Sequence, residues 1–144
     1  MRRLLAILAI AILPVFPIFG AAQDWNQWRG PSRSGAAATF TPPAAWPDRP
    51  NQVWKVHVGI GHASPVVAGE RVYVFARAGE QEVVSARDLS SGRELWRQAY
   101  DAPYQMNPAA TSHGKGPKST PIVSGGRVFT FGIGGTLSAW QAQD

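Results

Sequence analysis

Ser64-Pro65-Val66-Val67-Ala68-Gly69-Glu70-Arg71-Val72-Tyr73-Val74-Phe75 recurs later in the chain as Thr120-Pro121-Ile122-Val123-Ser124-Gly125-Gly126-Arg127-Val128-Phe129-Thr130-Phe131, at an offset of 56 residues. Val84-Ser85-Ala86 then returns as Leu137-Ser138-Ala139 at an offset of 53, so the second hairpin is three residues shorter. Upstream, Val53-Trp54-Lys55 is echoed by Leu95-Trp96-Arg97, 42 residues on. Self-similarity at periods of this size is the mark of stacked supersecondary units.

Each unit reads as four short antiparallel strands. Pro65 to Ala68 is followed by a turn at Gly69-Glu70 and by Arg71 to Arg77. Ala78-Gly79-Glu80-Gln81 turns into Val83 to Arg87, and Ser90-Ser91-Gly92 turns into a last strand around Glu94 to Gln98. Val72, Val74 and Ala76 share one face and Tyr73 and Phe75 the other, the period-2 alternation of a pleated strand. No window holds a helical stripe, so the fold class is all-β. A four-stranded sheet repeated every 40 to 56 residues fits the blade of a β-propeller better than a sandwich or a β-helix. Residues 53–144 are read as the repeats, about two blades, and residues 23–52 as a lead-in segment. Trp54 belongs on the outer strand of a blade that another part of the chain completes. Asp144 aligns with Ser91, inside a repeat. Propellers need at least four blades, or ~160 residues, so the expectation is an N-terminal fragment of a longer ring.

Ahead of the repeats, Arg2 and Arg3 precede an uncharged apolar run from Leu4 to Phe19. Gly20-Ala21-Ala22 places small residues before a cut at Gln23. This layout predicts a secretory signal peptide over residues 1–22. The 16-residue run contains Pro14 and Pro17 and is shorter than the ~20 apolar residues of a spanning helix. No membrane span is expected after cleavage, and the expected compartment is periplasmic or secreted. The formal net charge is +5, part of it on the two leader arginines. Export and the scatter of the remaining basic residues argue against a nucleic-acid partner. Cysteine is absent, so stability must come from a packed core rather than from disulfides. Six Trp, six Phe and fifteen Gly predict short strands joined by tight turns.

At one place the pattern becomes specific. Ala86-Arg87-Asp88-Leu89-Ser90-Ser91-Gly92-Arg93-Glu94-Leu95-Trp96 resembles the tryptophan-docking motif of PQQ-type propeller repeats, A-x-D-x-x-T-G-x-x-x-W, with Ser91 in place of Thr. Asp24-Trp25-Asn26-Gln27-Trp28-Arg29-Gly30-Pro31 resembles the W-x-x-[FW]-R-G-P start of secreted bacterial PQQ-like repeat proteins. The resemblance implies that Gly92 turns at positive φ, with Asp88 and Ser91 bonding the amides of the turn. Trp96 is then delivered to the side of the blade, packed on its neighbour with the indole N–H on backbone. Ala86 and Trp54 complete the docking set. In the second unit only Ala139 of the motif is present, and Gln141 stands in place of the Asp. Similar repeats occur in quinoprotein dehydrogenases, in an outer-membrane assembly scaffold and in many proteins of unknown role.

The same resemblance implies that the connections between blades, Gly59 to Ala63 and Asp101 to Lys118, cross one face of the ring. His62, His113, Lys115 and Lys118 are therefore the candidate ligand-binding residues, on one rim near the central channel. A cationic loop with two glycines could hold a carboxylate or phosphate there. The plain alternative is a solvated surface loop. Gly114 to Ser119 is not a P-loop, because proline interrupts it and no helix follows. Gly132 to Gly135 is a hairpin turn rather than a dinucleotide fingerprint, and His57 alternates with Lys55 on an exposed face. Asp88, Glu80, Glu82 and Glu94 are read as falling mainly in turns, so neither a catalytic residue nor a metal ligand set is expected. A quinoprotein dehydrogenase of this kind implies PQQ with Ca²⁺, a catalytic Asp and commonly a vicinal cysteine pair. The chain offers no such set, so no cofactor is expected here, and PQQ with Ca²⁺ would belong to other blades. The expected function is an exported binding or assembly scaffold that takes a protein or small-molecule ligand at the propeller face. The alternative is a PQQ-dependent oxidoreductase acting on alcohols or sugars, with its site in other blades. A peripheral role beside a secreted hydrolase system ranks third.

Overall fold

The structure, a computed structural model, describes residues 24–144; the signal-peptide reading and its cut before Gln23 lie outside the described residues. Among the described residues seven strands fall into two antiparallel sheets, and each sheet keeps chain order across its width. The first comprises β1 (Val66–Ala68), β2 (Arg71–Ala78), β3 (Gln81–Asp88) and β4 (Glu94–Asp101); the second comprises β5 (Ile122–Ser124), β6 (Arg127–Phe131) and β7 (Leu137–Gln141). The all-β reading holds, and among the described residues the one helical element is a 3₁₀ segment, Pro108–His113.

Register decides which side chains meet. Tyr73, Phe75 and Arg77 stand opposite Ala86, Val84 and Glu82, and on β4 Trp96 and Tyr100 stand opposite Ala86 and Glu82. Alternate residues of a strand share a face, so these eight side chains form one surface. That surface packs on the second sheet. The core joins Val66, Tyr73, Phe75, Val84 and Ala86 of the first sheet to Val123 and Val128 of the second, and Ala142 closes it. Aromatic rings line the seam: Tyr100 stacks on Trp140 with centroids 6.2 Å apart, and Tyr73 meets Trp96 at 6.1 Å.

The repeat is visible in hydrogen bonds as well as in residues. Leu89 N–H donates to Glu70 O and Ala142 N–H to Gly126 O, both at 2.9 Å, at equivalent positions of the two units. Trp54 Nε1 donates to Leu89 O at 2.9 Å, and Trp96 Nε1 donates to the equivalent carbonyl, Ala142 O, at 3.2 Å. Even Ser64 and Thr120, equivalent residues, meet side by side, with the Ser64 amide donating to Thr120 Oγ1 at 3.3 Å.

Two features correct the strand boundaries. The β2–β3 turn is the pair Gly79-Glu80, not a four-residue turn, and β2 and β3 run on to the pair Ala78↔Gln81. In the second sheet the ladder stops at Phe131↔Leu137. The three-residue difference therefore removes ladder pairs from the strands rather than residues from the turn. Glu82 consequently lies within β3 and is buried, and Glu94 opens β4, so these two carboxylates are not turn residues. Meanwhile the start of the chain joins the sheets. Trp25 exchanges both backbone hydrogen bonds with Val67 of β1, at 2.8 and 3.0 Å. Asn26 O accepts from Val123 N–H of β5 at 2.8 Å, and Asn26 Nδ2 donates to Val123 O at 3.0 Å. Residues 24–26 thus lie along β1 and β5, where the two sheets come close.

Candidate binding rim

The long connection from β4 to β5 is held by the extra length of the first hairpin. Arg77 projects from that extension onto the buried face and donates to three carbonyls: Lys115 O at 2.9 Å, Ala102 O at 2.6 Å and Gly79 O at 3.3 Å. Its side chain is only 1 % exposed and also pairs with Glu80 at 3.6 Å. A guanidinium has five donors in a planar fork, so one residue can gather both ends of the connection. Opposite it, the Glu82 carboxylate reaches across the seam and accepts from Ile133 N–H at 2.9 Å and from the Tyr100 hydroxyl. Burial pushes the Tyr100 hydroxyl pKa up, and its bond to Glu82 adds to the rise. Gly132 leaves the room for this approach: a Cβ there would lie 2.1 Å from Glu82 Oε2.

With the connection held this way, the predicted rim residues take different places. His62 Nε2 donates to His113 O at 2.9 Å, and the His62 and Ala63 amides donate to Pro117 O at 2.9 and 3.2 Å. A carbonyl can only accept, so Nε2 carries the His62 proton. The Lys118 ammonium donates to His113 O and, at 3.1 Å, to Gly114 O. His62, His113 and Lys118 thus come together. Lys115 instead turns towards the β2–β3 turn and pairs with Glu80 at 3.5 Å. Beside this cluster lies an open depression of about 430 Å³, lined among others by Trp28, Arg33, His62, Lys118 and Thr120. Trp28 and Arg33 come from the lead-in, which composition had not marked as part of any site.

The docking turn lies at the far end of the first hairpin. Asp88 Oδ1 accepts from the Ser90 hydroxyl at 2.6 Å, the Ser91 hydroxyl at 2.7 Å and the Ser91 amide at 2.8 Å. These bonds favour the charged form, the Ser90 hydroxyl most, and bring the Asp88 pKa down to about 2. Gly92 has φ 72°. A Cβ on it would stand 2.7 Å from the Trp54 ring, so this position must be glycine on both counts. Ala86 is fully buried under the Trp96 side of the sheet.

Arg77, Glu82 and Asn26 are the functional-looking side chains that local reading passed over. The signal for the first two was present: period 2 places Arg77 and Glu82 on the face of Tyr73 and Val84. Asn26 carried no such signal.

Among the described residues no three His, Cys, Asp or Glu side chains gather to hold a metal. Lys115 and Lys118 are engaged by Glu80 and by loop carbonyls.

A four-stranded and a three-stranded antiparallel sheet, repeated in sequence and docked on each other through Trp96, are blades of a β-propeller. Residues 80–144 match the family model described as outer membrane protein assembly factor BamB, and over this stretch the chain is similar to PQQ-like propeller repeats. No curated protein matches the chain.

Proposed function

We propose that the chain is part of an exported PQQ-like propeller that serves as a binding or assembly scaffold, taking a protein partner on its rim, and that these residues hold no cofactor. The observation that carries the reading is the state of the rim cations. Lys118 and His62 donate to His113 O and Lys115 pairs with Glu80, so these groups are tied to the protein's own loop. What the rim does present is an open depression with an aromatic lip. Trp28 is 59 % exposed there, with the Arg29 guanidinium 5.4 Å over its ring. Exposed Trp and Arg are the residue types that dominate protein–protein hot spots. The resemblance to an assembly-factor family supports a protein partner. Periplasmic or secreted localisation rests on the leader, and among the described residues no helix is long and apolar enough to cross a membrane.

The test is a titration of the purified chain with PQQ and Ca²⁺, followed by absorbance and by dye-linked oxidation of alcohols and sugars. Neither binding nor turnover is expected. A photo-crosslinking residue at position 28 is expected to give discrete protein adducts in the periplasm. Micromolar PQQ binding abolished by Lys115→Ala with Lys118→Ala would overturn the scaffold reading in favour of a quinoprotein oxidoreductase.

A further inference from the structure

The lead-in supplies a short loop that is braced by its own bonds and anchored to the first sheet. Residues 27–35 close through Gly30 N–H to Gln27 O and Arg33 N–H to Gly30 O, both at 3.0 Å, and through Gly35 N–H to Arg29 O at 2.9 Å. The Gln27 side chain donates to Pro31 O and the Arg29 guanidinium to Ser34 O, each at 2.9 Å. Arg29 and Arg33 hold φ of 62° and 56°, a region that non-glycine residues seldom occupy. Gly30 lies against the Trp25 ring, where a Cβ would come within 2.9 Å, and Trp25 itself pairs with Val67 of β1. Trp28 and Arg33 are therefore presented on a fixed support, at one side of the depression whose other side carries His62, Lys118, Ser119 and Thr120. These segments are bonded to one another within the described residues: the His62 amide donates to Pro117 O, and the Ser64 amide to Thr120 Oγ1.

The charge along this depression has one sign. Arg33 and Lys118 line it, and among the described residues no Asp or Glu does. Lys118 is tied to loop carbonyls, whereas Arg33 is exposed and commits only Nε, to Gln27 Oε1 at 3.1 Å. Its terminal nitrogens are left to take a carboxylate in the bidentate geometry that a guanidinium favours. A lone small anion would gain little there, because a single ion pair in open water is weak. Affinity needs apolar surface buried beside the charge, and Trp28 offers it at the same lip. We infer that the depression takes an acidic segment of a protein partner, with a Glu or Asp side chain on Arg33 and a neighbouring apolar side chain on Trp28. This rests on the reading of the rim as a protein-docking surface and names the chemistry of the partner. The Arg29 guanidinium lies 5.4 Å over the Trp28 ring. One ring face is thereby taken, which favours an aliphatic side chain, able to pack on ring edge as well as face, over a stacked acidic sugar. The braced loop loses little further freedom on binding, which is what pre-organisation contributes to affinity.

Fluorescence anisotropy of a fluorescein-labelled decapeptide in which Glu alternates with Leu, titrated with the purified chain, tests this. Saturable binding that weakens as salt is raised is expected. The same peptide with Gln for Glu is expected to bind about tenfold or more less tightly, a comparison that leaves the protein unchanged. Arg33→Glu changes an exposed residue and is expected to lose the acidic peptide to a similar degree while gaining the version with Lys for Glu. Trp28→Ala is expected to weaken binding of the acidic and the uncharged peptide alike. Absence of saturable binding, equal affinity for the Gln peptide, or indifference to Arg33→Glu would each overturn the inference. Equal competition by trigalacturonate would overturn it too, by marking an acidic-glycan site. The docking reading fails separately: discrete protein adducts from position 28 that persist in Arg33→Glu would keep a protein partner and remove its acidic character alone.

Discussion

At the scale of the residue, one carbonyl concentrates the seam between the blades. Ala142 O accepts from Trp96 Nε1 at 3.2 Å, from the Tyr73 hydroxyl at 3.0 Å and from Arg71 Nη1 at 2.9 Å. Trp96 is half-buried, so Trp96→Ala is expected at the low end of large-to-small core changes, about 3 kcal/mol. Trp96→Phe keeps most of the ring and loses the N–H, with an expected cost of about 1 kcal/mol. Urea melts of the two variants separate packing from hydrogen bonding, and equal losses would show that the ring is not docked. Asp88 gives a second reading, by pH. Its folded pKa of about 2 lies below its ordinary 3.8, so the stability it contributes is full above pH 3.8 and is lost as pH falls through about 2. Tryptophan fluorescence is expected to report a loss of stability between about pH 4 and 2, and Asp88→Asn is expected to remove that step. Persistence of the step in the variant would assign it to another carboxylate.

At the scale of the element, the first hairpin does more than its counterpart because it is longer. The ladder pairs that β6 and β7 lack are those that carry Arg77 and Glu82. One gathers the long connection and the other reaches the next blade's turn. Arg77→Ala is expected to loosen the connection while the strands of the second sheet persist. Losing a charged fork to three carbonyls costs about 3 kcal/mol, and local opening is what exposes a loop to protease. Trypsin cleavage after Lys115 or Lys118 is therefore expected to rise by about tenfold or more, with Arg77→Lys, which lacks the fork, intermediate. Unchanged cleavage would mean that the connection is held by its own turns. The strands themselves were readable beforehand: alternation and the Gly-Glu and Gly-Gly turns mark them locally. Their ends were not, since whether β2 stops at Arg77 or Ala78 depends on a partner strand.

At the scale of the whole molecule, residues 24–26 are part of the architecture. Asp24 accepts from the Gly69 amide at 2.8 Å, Trp25 pairs with Val67 and Asn26 with Val123. A leader cut at Gln23 would free this segment to lie along both sheets. Protein recovered from the periplasm is expected to begin at or near Gln23 on N-terminal sequencing. Intact Met1 in a membrane fraction would show that the leader is retained.

What the amino-acid sequence determined by itself is the repeat: all-β, short strands, tight turns and two units of one blade pattern. Those properties are local, written in period-2 alternation and in residues such as Gly92 whose conformation few others can adopt. The loops that carry His62, His113, Lys115 and Lys118 were legible in the sequence, but not the bonds those residues make. Tertiary structure alone decided that Lys118 and His62 converge on His113 O, that Lys115 turns away to Glu80, and that Arg77 gathers the carbonyls of Lys115 and Ala102. It also decided that Asn26 meets Val123, 97 residues away. The physical reason is that these contacts join segments with no shared period. Their formation depends on chain closure and on the shape left by packed neighbours, and neither is written in any single stretch of residues.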